Sequence, residues 1–373
     1  MWMRNAGRLA CVLGICLLMG VGCEPKDKPR MFFMGFTQRP YADGIDAVED
    51  TFDRIAEHSD MAAFQLDEGV PWPEAYADVL YASEYEGYLD LLLDHCAADE
   101  VVCLGVSSLN SSRTGPAAYR GATGNMEVPY PWDTYAFSDE PMIQAYTNFC
   151  LRLIERFEPR FFNYAVEANG LLFENPNLWD AYVVFLGEVY TRIKAAYPDL
   201  MVGLSVTLRH PDAPESATMR AHMDSLLPYL DFLGVVVYPY IFFGGLDPGN
   251  PDDLQKGWLL QAKSLAKGKP VAITETAWPA ENLEIPAFGV SVSATPERQD
   301  AYVRRVLGAA SDIEALFILW LNIADTDAVW EVLPPDYQDY AEIWRDTGLY
   351  DGMLEARPGI TSWDAWLAKE RTE

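Results

Sequence analysis

Two carboxylates in this chain stand where a buried strand gives out. Glu275 ends the run Lys269-Pro-Val-Ala-Ile-Thr-Glu275 and is followed by Thr-Ala-Trp-Pro279. Glu167 ends Phe161-Phe-Asn-Tyr-Ala-Val-Glu167 in the same manner. Short apolar, β-branched runs read as strands buried on both faces. Their last side chains are delivered at the strands' carboxyl ends, where α/β barrels keep their chemistry. A glycosidic bond needs a poor leaving oxygen protonated and an oxocarbenium-like transition state stabilised. One carboxylic acid does the first and one carboxylate does the second by covalent attack. Glu275 suits the nucleophile and Glu167 the acid, with burial and the neighbouring charge lifting the acid's pKa. In a retaining pair the carboxyl groups lie about 5–5.5 Å apart.

Such a pair must be held by a scaffold, and the pattern supplies one. Strands are expected near Met31–Phe36, Met61–Leu66, Val101–Ser107, Phe161–Val166, Met201–Thr207, Leu233–Tyr238, Pro270–Thr274 and Leu316–Leu321. Amphipathic helices lie between them. Ile45, Val48, Phe52 and Ile55 follow helical spacing behind a possible cap at Asp43. Ile143, Tyr146, Cys150, Leu153 and Phe157 do so behind Ser138, and Thr295-Pro-Glu297 opens another helix. Alternation of this kind implies a parallel sheet. Eight units without a Gly-rich phosphate loop predict a single-domain (β/α)8 TIM barrel over residues 31–373. The fourth and seventh strands face each other across it.

The loops after the third, sixth and eighth strands are long, as functional loops often are. Ser108–Ser138 is rich in Gly, Ser, Pro and aromatics. Pro239–Leu254 carries Tyr240, Phe242 and Phe243, and Asp325–Asp351 carries Trp330, Tyr337, Tyr340 and Trp344. Their rings suit stacking on the C–H faces of sugars, and packing of the loops accounts for some of them equally well.

Here the motifs acquire a likeness. Ile-Thr-Glu-Thr-Ala-Trp-Pro279 resembles the strand-seven nucleophile motif of the clan A glycoside hydrolases, above all the arabinogalactan endo-β-1,4-galactanases. Ala165-Val-Glu-Ala-Asn-Gly-Leu-Leu172 is similar to the strand-four segment of that family. Asp231-Phe-Leu-Gly-Val-Val-Val-Tyr-Pro239 resembles its strand six, and Gly348-Leu-Tyr-Asp-Gly-Met-Leu354 with Trp363 a common clan ending. The resemblance implies retaining hydrolysis of a β-linked polysaccharide or oligosaccharide without cofactor or metal. It also implies a substrate-binding role for Tyr238. Trp320, Trp278, Asn169 and, by its position after the first strand, Arg39 are further substrate-binding candidates, with barrel core the alternative for Trp320 and an ordinary salt bridge for Arg39. Clan members place Asn directly before the acid, where it holds the sugar's 2-hydroxyl; this chain has Val166. Asn169 or Asn163 is left to substitute. A protein that only binds glycan through the same cleft therefore remains an alternative.

Rival positions have plain explanations. Glu68 reads as a rim charge and Glu174 as solvent-facing, while Arg209 and His210 sit after the fifth strand with Arg39 after the first. Four histidines without metal-ligand spacing argue against a metal hydrolase. An acidic loop, Asp247–Asp253, could clip calcium. Cys96, Cys103 and Cys150 are an odd set, best read as buried thiols, with a Cys96–Cys103 bridge left open.

The formal net charge of −29 disfavours nucleic acid and anionic lipid as partners, since both demand clustered Lys and Arg. Residues 1–22 form a signal peptide: Arg4 and Arg8 precede an apolar stretch too short to span a bilayer. Met19-Gly-Val-Gly-Cys23 resembles a bacterial lipoprotein cleavage box, with Gly20 where Leu is usual and Cys23 as the lipidated residue. Residues 23–30 are a charged tether. The expectation is an extracytoplasmic, lipid-anchored monomer, touching membrane only through its anchor, with an ordinary secreted protein as the alternative.

Overall fold

The computed structural model describes residues 29–243 and 249–372. The signal segment, Cys23, most of the tether and part of the Asp247–Asp253 loop lie outside the described residues. Eight parallel strands form one sheet: β1 Phe33–Phe36, β2 Ala62–Leu66, β3 Val102–Val106, β4 Phe161–Asn163, β5 Met201–Thr207, β6 Phe232–Val237, β7 Val271–Thr276 and β8 Phe317–Trp320. Each pairs with its successor from β2 to β8, and β8 pairs with β1. This is the (β/α)8 barrel the pattern predicts. Two short antiparallel hairpins, Tyr119–Gly121 with Gly124–Met126 and Leu283–Ile285 with Val290–Val292, sit in the loops after β3 and β7.

The seam between β1 and β2 has no regular ladder and is closed by one backbone bond together with two side chains. Asp60 donates its backbone N–H to Met34 O, and Met34 N–H donates to Asp60 Oδ1. Further up, the Gln38 amide donates to Gln65 O at 2.8 Å and accepts from Gln65 N–H at 3.0 Å. A side-chain amide thereby mimics the missing peptide and leaves no open edge.

Alternation along the strands divides the core. Phe33, Met61, Ala63, Cys103, Phe161, Phe232, Ala272, Phe317 and Leu319 fill the barrel's interior. The other phase packs outward against the helices. The helix Glu140–Phe157 buries Ile143, Tyr146, Cys150, Leu153 and Phe157, all five of the residues its spacing selects, and begins after Asp139 instead of Ser138. Thr295 caps Pro296–Asp312 by accepting from Arg298 N–H. The helix Ile45–Glu57 departs from expectation: it starts after Gly44, Asp43 makes no cap, and Ile45 is exposed because the buried stripe runs through Ala47, Thr51, Phe52 and Ile55. The three cysteines are free thiols, so no Cys96–Cys103 bridge forms. Arg30, expected in the tether, belongs to the barrel: it is buried and paired with Asp60 at 2.8 Å. No helix among the described residues is long and apolar enough to cross a membrane.

Candidate active site

Glu275 owes its direction to an irregularity. On β6, Val235 pairs with Ile273 and Val236 with Glu275, so β7 carries one extra residue at this point. A bulge re-aims the side chain that follows it. The Glu275 carboxylate meets Tyr238, whose hydroxyl donates to Oε2, and Gln65, whose amide donates to Oε1 at 3.0 Å. Tyr238 is itself buried just past the end of β6. Gln65 is the single amide of a strand otherwise composed of Ala, Phe and Leu. Arg39, half-exposed after β1, lends its charge from the side while pairing loosely with Asp67 at 3.9 Å. Burial raises the Glu275 pKa most, and the charge of Glu167 raises it further. Arg39 and the two hydrogen bonds act against both.

Glu167 stands beyond β4, near enough for its charge to act on Glu275. The regular ladder stops at Asn163, and the backbone then bonds alternately to both neighbours: Val166 N–H to Val106 O, Ala168 N–H to Ser205 O. Glu167 sits at φ 50°, a left-handed conformation that is uncommon outside glycine. Strain of that kind gathers at functional sites. Its N–H donates to Ser205 Oγ at 3.0 Å. Its carboxylate accepts from Arg113 at 2.7 Å and from Thr207 Oγ1 at 2.5 Å. Arg113 comes from the loop after β3 and also donates to Ser107 Oγ and Asn110 O.

Two cavities are lined by neighbours of the carboxylates. One of about 370 Å3 is lined by Gln65 and Arg39 beside Glu275, with Asp67, Asn322 and Trp344 in its wall. The other, about 390 Å3, is lined by Thr207 beside Glu167, with Phe173 and Arg209 in its wall. Both fall within the range of small-ligand sites, on the order of 300–1,000 Å3. Above them stands the helix Pro335–Arg345 of the loop after β8. Its Tyr340, 52% exposed, lies close enough to both glutamates that their charges, after burial, raise its pKa. Trp344 stands between Tyr340 and Tyr238, with ring centroids 4.9 and 6.1 Å away.

The remaining sequence candidates fall elsewhere. Trp320 is fully buried, its indole N–H donating to Thr347 O and its ring against Trp363 and Tyr302. Strand phase explains this correction: Phe317 and Leu319 point inward, so Trp320 points to the helices. Trp278 is likewise fully buried, stacked on Tyr302 at 4.7 Å, and offers no face to a ligand. Asn169 is fully buried and spends both ends of its amide on Thr207, donating to O at 2.9 Å and accepting from N–H at 2.8 Å. It is a staple between the end of β4 and β5, unavailable to a sugar hydroxyl. Asn163 lies deeper, donating to Ser205 Oγ. Val166 packs over Gly105. Glu174 is exposed, and Glu68 is exposed opposite Arg120 at 3.7 Å. Sequence reasoning missed Gln65, Thr207 and Arg113. The first two were visible as polar residues within apolar runs, and the third only as a cation in a long loop.

The three acids that share ligand spacing, Asp325, Asp327 and Asp346, already have cationic partners. Arg357 grips Asp325 at 2.6 Å, and Arg345 holds Asp346 at 2.8 Å and Asp327 at 3.5 Å.

No family model matches the chain, and no curated protein matches it by sequence. Solved structures do. The exo-β-1,4-mannosidase Op5Man5 from Opitutaceae bacterium strain TAV5 superposes with a TM-score of 0.64 at 17% identity, over 91% of this chain and 60% of that one. A β-D-glucuronidase from Dictyoglomus thermophilum gives 0.54 at 13% identity, over 93% and 52%. Native xylanase 10B from Thermotoga maritima gives 0.56 at 10%, over 90% and 94%. The chain thus spans about half to three-fifths of the first two proteins and nearly all of the third. At these identities the likeness establishes a shared barrel fold.

Proposed function

We propose that the protein is a retaining glycoside hydrolase acting on a β-linked polysaccharide, galactan-like or related. The observation that supports this reading is the placement of Glu167 and Glu275 at or just past the carboxyl ends of their strands, near enough that the charge of Glu167 raises the Glu275 pKa. In the first step a Glu275 oxygen attacks the anomeric carbon while a protonated Glu167 delivers its proton to the departing oxygen. A covalent glycosyl ester and a free alcohol result. In the second step Glu167 takes a proton from water, which displaces Glu275 with net retention. Tyr238 and Gln65 hold the nucleophile, and Tyr340 with Trp344 offers rings to the sugar. The structural neighbours, a mannosidase, a xylanase and a glucuronidase, support glycosidic chemistry as the class. The motif likeness supports galactan within it. The chain is further proposed to be an extracytoplasmic monomer anchored through acylated Cys23.

Binding without turnover is a second reading, and two observations favour it. Arg113 occupies the Glu167 carboxylate in an ion pair at 2.7 Å, and Asn169 is not free to replace the missing Asn at Val166. Purified protein and Glu275→Gln, incubated with a panel of β-glycans and assayed for new reducing ends, decide between them. Release by the wild type, lost at least a thousandfold in the variant, is the expected result. Binding by both with release by neither would establish the second reading.

A further inference from the structure

The cations of this acidic molecule are unevenly placed. Arg39, Arg113 and Arg209 follow β1, β3 and β5 at the same rim that holds the two glutamates. The first two are engaged: Arg39 with Asp67 and the field of Glu275, Arg113 with Glu167. Arg209 differs. Among the described residues its side chain makes no ion pair within 4 Å and no hydrogen bond. Its guanidinium lies over the Phe242 ring, 3.8 Å from the centroid. That contact holds the charge in place without using its N–H donors. The backbone is anchored as well, through Gln261 donating to Arg209 O. The residue lines the 390 Å3 cavity beside Thr207, the hydroxyl that bonds Glu167. Burial depresses the guanidinium's pKa against the attraction of Glu167, Glu215 and Glu174.

A half-buried, anchored guanidinium with free donors at the wall of a ligand-sized cavity is an incomplete pair. A planar carboxylate or a sulfate completes it through two parallel N–H···O bonds. Glu215, Asp212 and Arg220 also line the cavity and are exposed, so water and salt screen their charges.

We propose that this cavity, which meets the Thr207 that bonds Glu167, recognises an anionic substituent of the substrate, a uronic carboxylate or a sulfate ester, through Arg209. The inference rests on the hydrolase reading only in calling that ligand the substrate. The substrate class narrows accordingly from β-glycan to acidic β-glycan. Phe242 supplies the rigid platform and Thr207 the link to the acid.

Binding rather than turnover provides the test. A β-linked oligosaccharide bearing one uronic acid, its carboxyl-reduced twin and a sulfated counterpart are titrated calorimetrically into Glu275→Gln protein. The same titrations follow with Arg209→Gln and Arg209→Lys added, each checked for an unchanged melting profile. The charged ligand should bind roughly ten- to a hundredfold tighter than its reduced twin, the scale of a hydrogen bond to a charged group. Arg209→Gln should abolish that preference while leaving the neutral ligand's affinity intact, and Arg209→Lys should keep part of it. Whether the carboxylate or the sulfate gains more identifies the substituent. Equal affinity for charged and neutral ligands, or a preference that survives Arg209→Gln, overturns the proposal. Neutral glycans cleaved with no acidic preference would sink this inference alone. An acidic preference in a protein that cleaves nothing would sink only the hydrolase reading.

Discussion

Glu275 carries a titration signature that kinetics can read. Its pKa is raised, and a nucleophile must be ionised, so kcat/KM should fall on the acid side at a pH above the ordinary glutamate range. The Tyr238 hydroxyl favours the ionised form, so Tyr238→Phe should raise the pKa further and move the acidic limb to still higher pH. An aryl glycoside whose leaving group needs no protonation isolates this limb from Glu167, and a limb unmoved or moved to lower pH would contradict the assignment. Glu275, Glu167 and Tyr238 were legible in the sequence because each closes an apolar run, where geometry leaves a side chain few directions. Arg113 was not, because a loop's course is set by contacts that no periodicity records. Trp320 and Trp278 were misjudged for an opposite reason. A large aromatic at a strand end is read as exposed, yet phase and helix packing buried both of them.

At the level of elements, the transition from β4 into its loop depends on Asn169. Its amide occupies the N–H and C=O of Thr207, and the hydroxyl of Thr207 holds Glu167. Asn169→Ala leaves both buried backbone groups unpaired, at a cost of about 1–3 kcal/mol each. The expected outcome is a lower denaturation midpoint and a reduced kcat with KM nearly unchanged. A selective rise in KM with unaltered stability would restore the substrate-binding role the sequence suggested. The strands and most helices could be placed beforehand because buried parallel strands announce themselves as unbroken apolar runs. The bulge in β7 and the early end of the β4 ladder could not, since both arise from pairing with neighbours distant in the chain. The hairpins in the loops after β3 and β7 are only three residues a strand, too short to show an alternation.

For the molecule as a whole, the −29 charge and the arginines at the cleft pull in opposite directions. Long-range repulsion slows the approach of an acidic glycan, while the half-buried Arg209 attracts it at close quarters. Raising ionic strength from about 0.01 to 0.15 M, which shortens the screening length from roughly 30 to 8 Å, should therefore speed association with an acidic ligand. A neutral ligand should be indifferent. Stopped-flow fluorescence of the cleft tryptophans measures both rates, and a slower acidic on-rate with salt would show that local attraction governs the encounter. Composition gave the sign of this field in advance. It could not place the cations, which the barrel gathers at one rim from residues far apart in the chain.

Gln65 has two employments that bind the molecule's integrity to its reactivity. Its backbone is half of the patch that stands in for a missing ladder between β1 and β2, and its side chain steadies Glu275. Any breathing of that joint releases the carboxylate proposed as nucleophile at the same moment. A barrel that has sprung open even locally is disarmed before it is unfolded, so loss of turnover on warming would come as an early alarm, ahead of any change in helix content.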